Sequence, residues 1–437
     1  SLESFLKKLD VKKLTDKKLD GDSLSHNELE FAVMSYVDNS INDSDMAAFL
    51  KSIHQKGMSR NEIVSLTQIM IESGETIDFK NLNSYVADKH STGGIGDKVS
   101  IVLAPILAKL GLSVPMLAGR SLGHTGGTID KLETIPGFKT DLSIANFKKN
   151  VETIGISIMS QTNTICPADK KIYALRDVTG TIDSLPLICG SIMSKKISEG
   201  INGLVLDIKI GNGAFMPTLA EGKKLGSLLK YVGEHFGVST KLVYSSMNQP
   251  LGKTAGMWCE IYESIEALQG QGAEDLMEVV FELGSKLIMD AGLASTHTNA
   301  IKMQQQCILN GEAFEKFEEM IYGQDGQIKN IDDINKPRFS KEIISEKNGF
   351  LKSFDTTAIG WAAVELGCGR KSKDDILDNS AGIEFNAKVG DFVRKGEPVM
   401  RCFNSKEGNI LKVHSQLTKT FKISQEKFNP INTIFKD

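Results

Sequence analysis

Apolar residues in the first seventy positions recur at helical spacing. Phe31, Met34 and Val37 follow Ser25-His-Asn-Glu28, and Ile63, Leu66 and Met70 follow Ser59-Arg-Asn-Glu62. Each tetrad places a hydroxyl at a helix N-cap and a glutamate three residues on, a reciprocal arrangement that satisfies two otherwise unpaired amides. The second run stops at Ser73-Gly74, so residues 1–72 are predicted to be all-helical. From about residue 84 the pattern changes. SVPMLAG, GISIMSQ, GLVLDIKI and TKLVYSSM predict strands, and VSIVLAPILAKLGL and LAEGKKLGSLLKYVGEHF predict the helices between them. Strands alternating with helices imply a mainly parallel sheet covered on its faces. Beyond residue 340, in GIEFNAKVGDFVRKGEPVMRCF, Val-Gly-Asp and Lys-Gly-Glu-Pro turns separate short β runs and predict a small antiparallel lobe. The expected fold class is α/β: a small all-helical domain, a large mixed α/β domain with a mainly parallel sheet, and a small C-terminal β-rich lobe over 340–437.

Composition alters this picture little. The 437 residues exceed what one hydrophobic core usually supports. Fifty-one basic against fifty-five acidic side chains give a net charge of −4, which offers no global field for nucleic acid or an anionic membrane. An anionic ligand therefore needs a local site. The six cysteines, Cys166, Cys189, Cys259, Cys307, Cys368 and Cys402, have no spacing that reads as a zinc site, so reduced thiols and no metal are expected. The lysine-rich opening SLESFLKKLDVKKL lacks the apolar run and cleavage site of a secretory signal, and no stretch is long enough to cross a bilayer, so the expected location is cytoplasmic.

Three clusters can carry chemistry. In Asp88-Lys-His-Ser-Thr-Gly-Gly-Ile-Gly-Asp97, glycines at 93, 94 and 96 let backbone amides approach an oxyanion. Lys89 and Ser91 add charge and a hydroxyl, and a helix starting near Lys98 adds its dipole. The spacing is not that of a Walker A loop, and the same residues also suit a plain strand-to-helix turn with an exposed lysine. A second glycine-rich loop, Ala118 to Glu133, follows SVPMLAG, and Thr128 with the Gly126 and Gly127 amides can face the same crevice. The third cluster joins Tyr173-Ala-Leu-Arg176 to Ser191-Ile-Met-Ser-Lys195, where Ser191 and Lys195 share a helix face. Such residues suit a planar ring with two carbonyls, or simply a helix surface.

In order along the chain, KHSTGGIGD, GRSLGHTGGTIDKLETIPGF, PADKKIYALRD and the D-x-K-x-G-x-GAFMPT string from Asp207 resemble the thymidine phosphorylase and pyrimidine-nucleoside phosphorylase family over nearly the whole chain. The resemblance implies a helical domain made of residues 1–72 and a returning segment 168–198. It implies an α/β domain made of 84–160 and 202–335, and a homodimer paired through the helical lobes. By resemblance, phosphate is the co-substrate, held by Lys89, Ser91, Ser100 and Thr128. Arg176, Ser191 and Lys195 hold the pyrimidine nucleoside, with His90 and Tyr173 beside ring and sugar and Ile188, Ile192 and Phe215 lining the base pocket. Ala118 departs from the serine usual there, and Ser121, where glycine is usual, is a candidate replacement donor.

The implied reaction is phosphorolysis with inversion at C1′, in which Arg176, Lys195 and His90 stabilise or protonate the departing base. Closure of the domains, with Gly200, Gly203 and Ser73-Gly74 as flexible positions, would bring the reactants together. Met116 resembles the thymidine-preferring branch, where the broader branch tends to carry lysine. Some relatives hold a monovalent cation near the phosphate loop; Lys98 stands close to that position, so no metal or organic cofactor is expected. An anthranilate-type phosphoribosyltransferase and a non-catalytic nucleoside-binding protein are the rival readings.

Overall fold

The computed structural model describes residues 9–121, 123–372 and 374–436. Most of the lysine-rich opening, SLESFLKK, lies outside the described residues. Helices α1 (Val11–Leu19), α2 (His26–Val37), α3 (Asp43–Lys56) and α4 (Arg60–Glu72) come first. Strand β1 (Ala87–Ser91) leads to α5 (Val99–Lys109), β2 (Val114–Ala118) to α6 (Thr128–Leu132) and α7 (Ile144–Ile154), and β3 (Ile156–Ser160) to α8 (Pro167–Thr179) and α9 (Leu185–Ser198). Then come β4 (Gly203–Ile210), α10 (Leu219–His235), β5 (Ser239–Ser246), β6 (Thr254–Gly256) and helices α11 (Trp258–Glu266), α12 (Glu274–Asp290), α13 (His297–Leu309) and α14 (Glu312–Gly323). The last quarter holds β7 (Phe339–Ile344), β8 (Gly349–Phe354), α15 (Thr356–Ala363), β9 (Gly382–Phe385), β10 (Phe392–Val393), β11 (Pro398–Asn404), α16 (Ile410–Leu417), β12 (Phe421–Ser424) and β13 (Ile434–Phe435).

The chain divides into two compact units. The helical unit takes residues up to 81 together with Gln161–Leu204 and Lys223–Thr240. Both predicted capping boxes form: Ser25 and Ser59 hydroxyls accept from the Glu28 and Glu62 amides, and each glutamate accepts in return from the serine amide. Phe49, Ile53, Leu66, Ile172 and Leu187 close one core, which is why α8 and α9 return to helices far away in sequence. Composition alone cannot foresee that pairing, because α8 and α9 read like any other amphipathic segments. Glycines 74 and 200 are close-packed in this unit. Gly200 has φ +77°, and a Cβ there would overlap the Ile77 carbonyl oxygen, so their small size serves packing.

Glu62 does more than cap. Its buried carboxylate also accepts from Lys18 Nζ and the Leu24 amide, both at 2.8 Å. Glu62→Ala would strand the buried Lys18 ammonium, at an expected cost of about 3–5 kcal/mol. Urea unfolding of the full chain checks this, and an unchanged midpoint contradicts it.

The second unit holds the sheet. Its strand order is β1-β4-β5-β13, and β2 and β3 form a parallel pair in register Met116↔Ile158. A parallel bridge, Val86↔Ser113, sets that pair beside β1. Strand β4 is buried at all eight positions, Asp207 and Lys209 included, as expected of a central strand in a covered parallel sheet. Two antiparallel sheets, β6-β9-β11-β7 and β10-β8-β12, make the C-terminal β-rich part, and the core runs into them from the parallel sheet without a break through Ile343, Ile383 and Val399. Among the described residues, no helix is long and apolar enough to cross a membrane.

Candidate active site

The chain runs from β1 to β2 and β3 on one side of β1, and returns to β4 and β5 on the other. Open α/β sheets bind ligands at such a reversal, outside the carboxyl ends of the strands. The loops after β1, β2 and β4 meet there. The Thr92 amide donates to the Asp207 carbonyl at 3.0 Å, and the Lys209 amide to Thr92 Oγ1 at 2.8 Å. Lys131 Nζ donates to the Asp97 carbonyl at 3.0 Å, and His124 Nε2 lies 3.3 Å from the Gly213 carbonyl. Gly96, at φ +75°, admits no side chain, since a Cβ would overlap the Leu251 carbonyl oxygen.

Lys89 is only 3% exposed, which removes the reading of an exposed lysine on a plain turn. Its Nζ lies 3.1 Å from Ser100 Oγ and 3.9 Å from Asp97 Oδ1. Ser91 Oγ donates to Asp97 Oδ2 at 2.6 Å and accepts from the Gly93 amide at 3.1 Å. Lys89 and Ser91 thus meet at one carboxylate, and Ser100 joins the group through Lys89. Burial would raise the Asp97 carboxyl, but Lys89 and Lys209 outweigh it and hold the group well below the usual carboxylate range. Burial pushes the Lys89 ammonium below its ordinary value, with Asp97 and Asp207 opposing. In the same loop region Lys209 Nζ pairs with Asp207 at 2.7 Å and donates to Ser245 Oγ at 3.0 Å. Buried charges persist here because they alternate in sign. Thr128 opens α6 and His90 lies in β1, both half-buried. Ser121 is buried, its amide donating to Asp130 Oδ2 at 2.7 Å, and Ala118 ends β2 opposite Ser160.

Lys98 occupies a cage of its own. Its fully buried Nζ donates to the carbonyl oxygens of Gly96 at 2.7 Å, Leu251 at 3.1 Å and Thr254 at 3.1 Å. Glu263 stands 3.0 Å away and Glu260 3.8 Å. Burial would lower this ammonium's pKa, but the two glutamates outweigh it and raise it. Carbonyl and carboxylate oxygens around one positive centre are the donor set a bare monovalent cation would use, and here the lysine fills it.

The pyrimidine candidates lie in the helical unit. Ile188, Ser191, Ile192 and Lys195 fall at helical spacing on one face of α9. Lys195 Nζ donates to Asp169 Oδ2 at 2.8 Å and lies 3.3 Å from Ser191 Oγ, which itself donates to Asp169 Oδ2 at 3.0 Å. Arg176 is 1% exposed and spends three N–H groups on the carbonyls of Thr181, Leu187 and Ile182. Its guanidinium lies 5.7 Å from the Tyr173 ring centroid. In the second unit, Phe215 is 52% exposed, with its ring 5.7 Å from that of His124, while Met116 is 3% exposed within β2.

Asp97, Asp169 and Asp207 lie inside the motif strings, and their types and spacing alone assign them no role. Asp169 and Asp207 are buried and Asp97 is partly buried; Asp97 accepts from Ser91, Asp169 accepts from Lys195 and Ser191, and Asp207 pairs with Lys209. The available signal was an acidic residue within a few positions, or one helix, of a conspicuous lysine.

A profile described as glycosyl transferase family, a/b domain, matches residues 83–314. The helical bundle domain of the same family matches 12–74, and the pyrimidine nucleoside phosphorylase C-terminal domain matches 350–424. Proteins named pyrimidine-nucleoside phosphorylase from Staphylococcus haemolyticus and Bacillus subtilis are 40% and 41% identical, each over 95% of this chain and 97% and 96% of their own. That of Geobacillus stearothermophilus is 39% identical over 94% of this chain and 95% of its own. A crystal structure of anthranilate phosphoribosyltransferase from Thermus thermophilus superposes with TM-score 0.57 at 15% identity, over 71% of this chain and 99% of that one, a likeness of fold alone.

Proposed function

Since the chain belongs to the pyrimidine-nucleoside phosphorylase family, we propose that it catalyses reversible phosphorolysis of pyrimidine nucleosides in the cytoplasm, preferring thymidine and giving thymine and 2-deoxy-α-D-ribose 1-phosphate. The observation that carries this reading is the buried Lys89 ammonium beside Ser91 and Ser100 at the switch point of the sheet. Phosphate enters that cradle, its charge taken up by Lys89 and by the hydroxyls of Ser91, Ser100 and Thr128. Ser121, as buried as Lys89 and with its hydroxyl oxygen lacking a hydrogen-bond partner among the described residues, is the candidate for the donor that Ala118 lacks.

A phosphate oxygen attacks C1′ as the bond to N1 of the base breaks, and configuration inverts. Negative charge spreads over the departing base, so donors at its oxygens stabilise the transition state more than the ground state. Arg176 and Lys195 take that role, and His90 donates to O2 of the base. Phosphate and nucleoside candidates belong to different units, so the reading includes closure of those units and a homodimer paired through the helical one. Sedimentation checks the dimer.

No resident metal or organic cofactor takes part, because the Lys98 ammonium supplies the positive charge inside the carbonyl cage. The phosphoribosyltransferase rival predicts magnesium-dependent consumption of phosphoribosyl pyrophosphate, and the binding-protein rival predicts no turnover.

One observation favours a broader second reading, in which uridine is also used. The relatives matched over nearly the whole chain are named pyrimidine-nucleoside phosphorylase. Initial rates with thymidine, deoxyuridine and uridine at saturating phosphate decide between them. Thymidine preference predicts kcat/KM at least about tenfold above uridine, a difference of about 1.4 kcal/mol; comparable values establish the broader reading.

A further inference from the structure

Resting on the proposed phosphorolysis, we infer that Arg370, between α15 and β9, is a positioning residue of the phosphate site. It holds Asp130, and through Asp130 the second glycine-rich loop, from which Thr128 serves the anion. The ends of that loop meet at a neck. There the Ile129 amide donates to the Gly119 carbonyl at 3.3 Å, and the Ser121 amide donates to Asp130 Oδ2 at 2.7 Å. Thr128 and Asp130 both belong to α6, which has five residues, too few for a helix to hold its own place. Side chains hold it instead. Lys131 ties it to the first loop through the Asp97 carbonyl at 3.0 Å, and Asp130 ties it to the second.

Asp130 is 3% exposed, and its two oxygens offer about four acceptor positions. Four donors fill them. Oδ2 accepts from the Ser121 amide and from Arg370 Nη1, the latter at 2.9 Å. Oδ1 accepts from Arg370 Nη2 at 2.9 Å and from Arg120 Nη1 at 3.3 Å. The Arg370 contact is bidentate, a geometry that a guanidinium makes and an ammonium cannot. Arg120 is no substitute, because its own fork faces Glu133 at 2.6 and 2.7 Å and its side chain is 43% exposed.

Two effects follow from this clamp. Without Arg370, two of the four donors to Asp130 are gone, and the carboxylate that fixes the Ser121 amide is free to turn. The loop neck then loosens, and Thr128 with it. The second effect is electrostatic. Burial would raise the Asp130 carboxyl, but Arg370 and the Ser121 amide outweigh it and hold the group below the usual carboxylate range. An ionised carboxylate two residues from Thr128 opposes an incoming anion unless a cation cancels it.

The test is steady-state kinetics with phosphate and thymidine varied in turn, in the unaltered protein, Arg370→Ala, Arg370→Lys, Thr128→Ala and the variant carrying both alanines. Arg370→Ala should raise the phosphate KM by about tenfold or more and leave the thymidine KM within about twofold, as expected when one reactant's contacts are displaced. Arg370→Lys keeps the charge without the fork and should recover only a small part of that loss. Thr128→Ala should raise the phosphate KM by about tenfold alone but by about twofold or less beside Arg370→Ala, because the hydroxyl is already displaced there. A merely structural role would lower the folded fraction and leave the ratio of the two KM values alone. An unchanged phosphate KM in Arg370→Ala, full recovery by lysine, or independent effects in the double variant overturns the inference. If Arg370→Ala does not fold, Arg370→Lys carries the comparison, and a phosphate KM equal to that of the unaltered protein overturns it. If the unaltered protein shows no phosphorolysis, calorimetry with inorganic phosphate replaces kinetics. Phosphate binding that weakens in Arg370→Ala would refute the catalytic reading and keep the inference. Turnover with an unchanged phosphate KM would refute the inference and keep the reading, and no phosphate binding at all would refute both.

Discussion

Replacing Lys89 with alanine should lower kcat/KM for phosphate by about 10²–10³-fold, the usual loss when one preorganised charge donor leaves an active site. The effect is large because the ammonium is buried: no water of equal strength stands ready to replace it. Its removal also leaves Asp97 facing the incoming phosphate with less opposing charge, since Lys89 is the first of the cations that hold that carboxylate ionised. Repulsion then adds to the lost attraction. Arg176→Ala should act on the other reactant, lowering kcat/KM for the nucleoside. Steady-state kinetics with each substrate varied in turn separates the two, with thermal unfolding as a control for folding. Activity intact in both variants would refute the residue assignment.

Lys98→Ala should change what the protein requires. In the unaltered chain, phosphorolysis in choline buffer should equal that in potassium buffer, because the ammonium already sits among three carbonyl oxygens and Glu263. Removing it leaves Glu263 and Glu260 buried without that partner and frees the Gly96 carbonyl, loosening the phosphate loop from the 251–254 segment. Stranding a buried charge costs about 3–5 kcal/mol, so activity without added cation should drop by about 100-fold or more. The emptied cage is lined with hard oxygens, and millimolar potassium should restore a substantial part of the rate, more than lithium does. Loss of activity in the unaltered protein on removing potassium would contradict this account, and so would a Lys98→Ala variant indifferent to cations.

The elements were legible because local signals agreed with tertiary need. The Ser25 and Ser59 capping boxes mark helix starts whichever partners the helices later find, and GLVLDIKI is mostly apolar and buried at every position. The return of α8 and α9 to the helical core was not legible from periodicity, since Ile172 and Leu187 carry no mark of which distant core they fill. It came from the family resemblance. Within the site, a lysine beside glycines was visible, but its burial was not, and that burial distinguishes an anion cradle from a surface turn. The carboxylates Asp97 and Asp169 stayed unassigned because an acid in a motif reads the same whether it faces water or orients a neighbouring serine. Met116, which the resemblance sets in the thymidine-preferring branch, is buried in its strand, and its motif carries no mark of that burial.

Incubating the purified protein with thymidine and inorganic phosphate, and following both thymine and 2-deoxyribose 1-phosphate, tests the central claim most directly. The account predicts that the two products form in equal amounts, only when phosphate is present, and that thymidine re-forms when they are supplied together. Thymine released without phosphate, or no thymine at all from the folded protein, would contradict it.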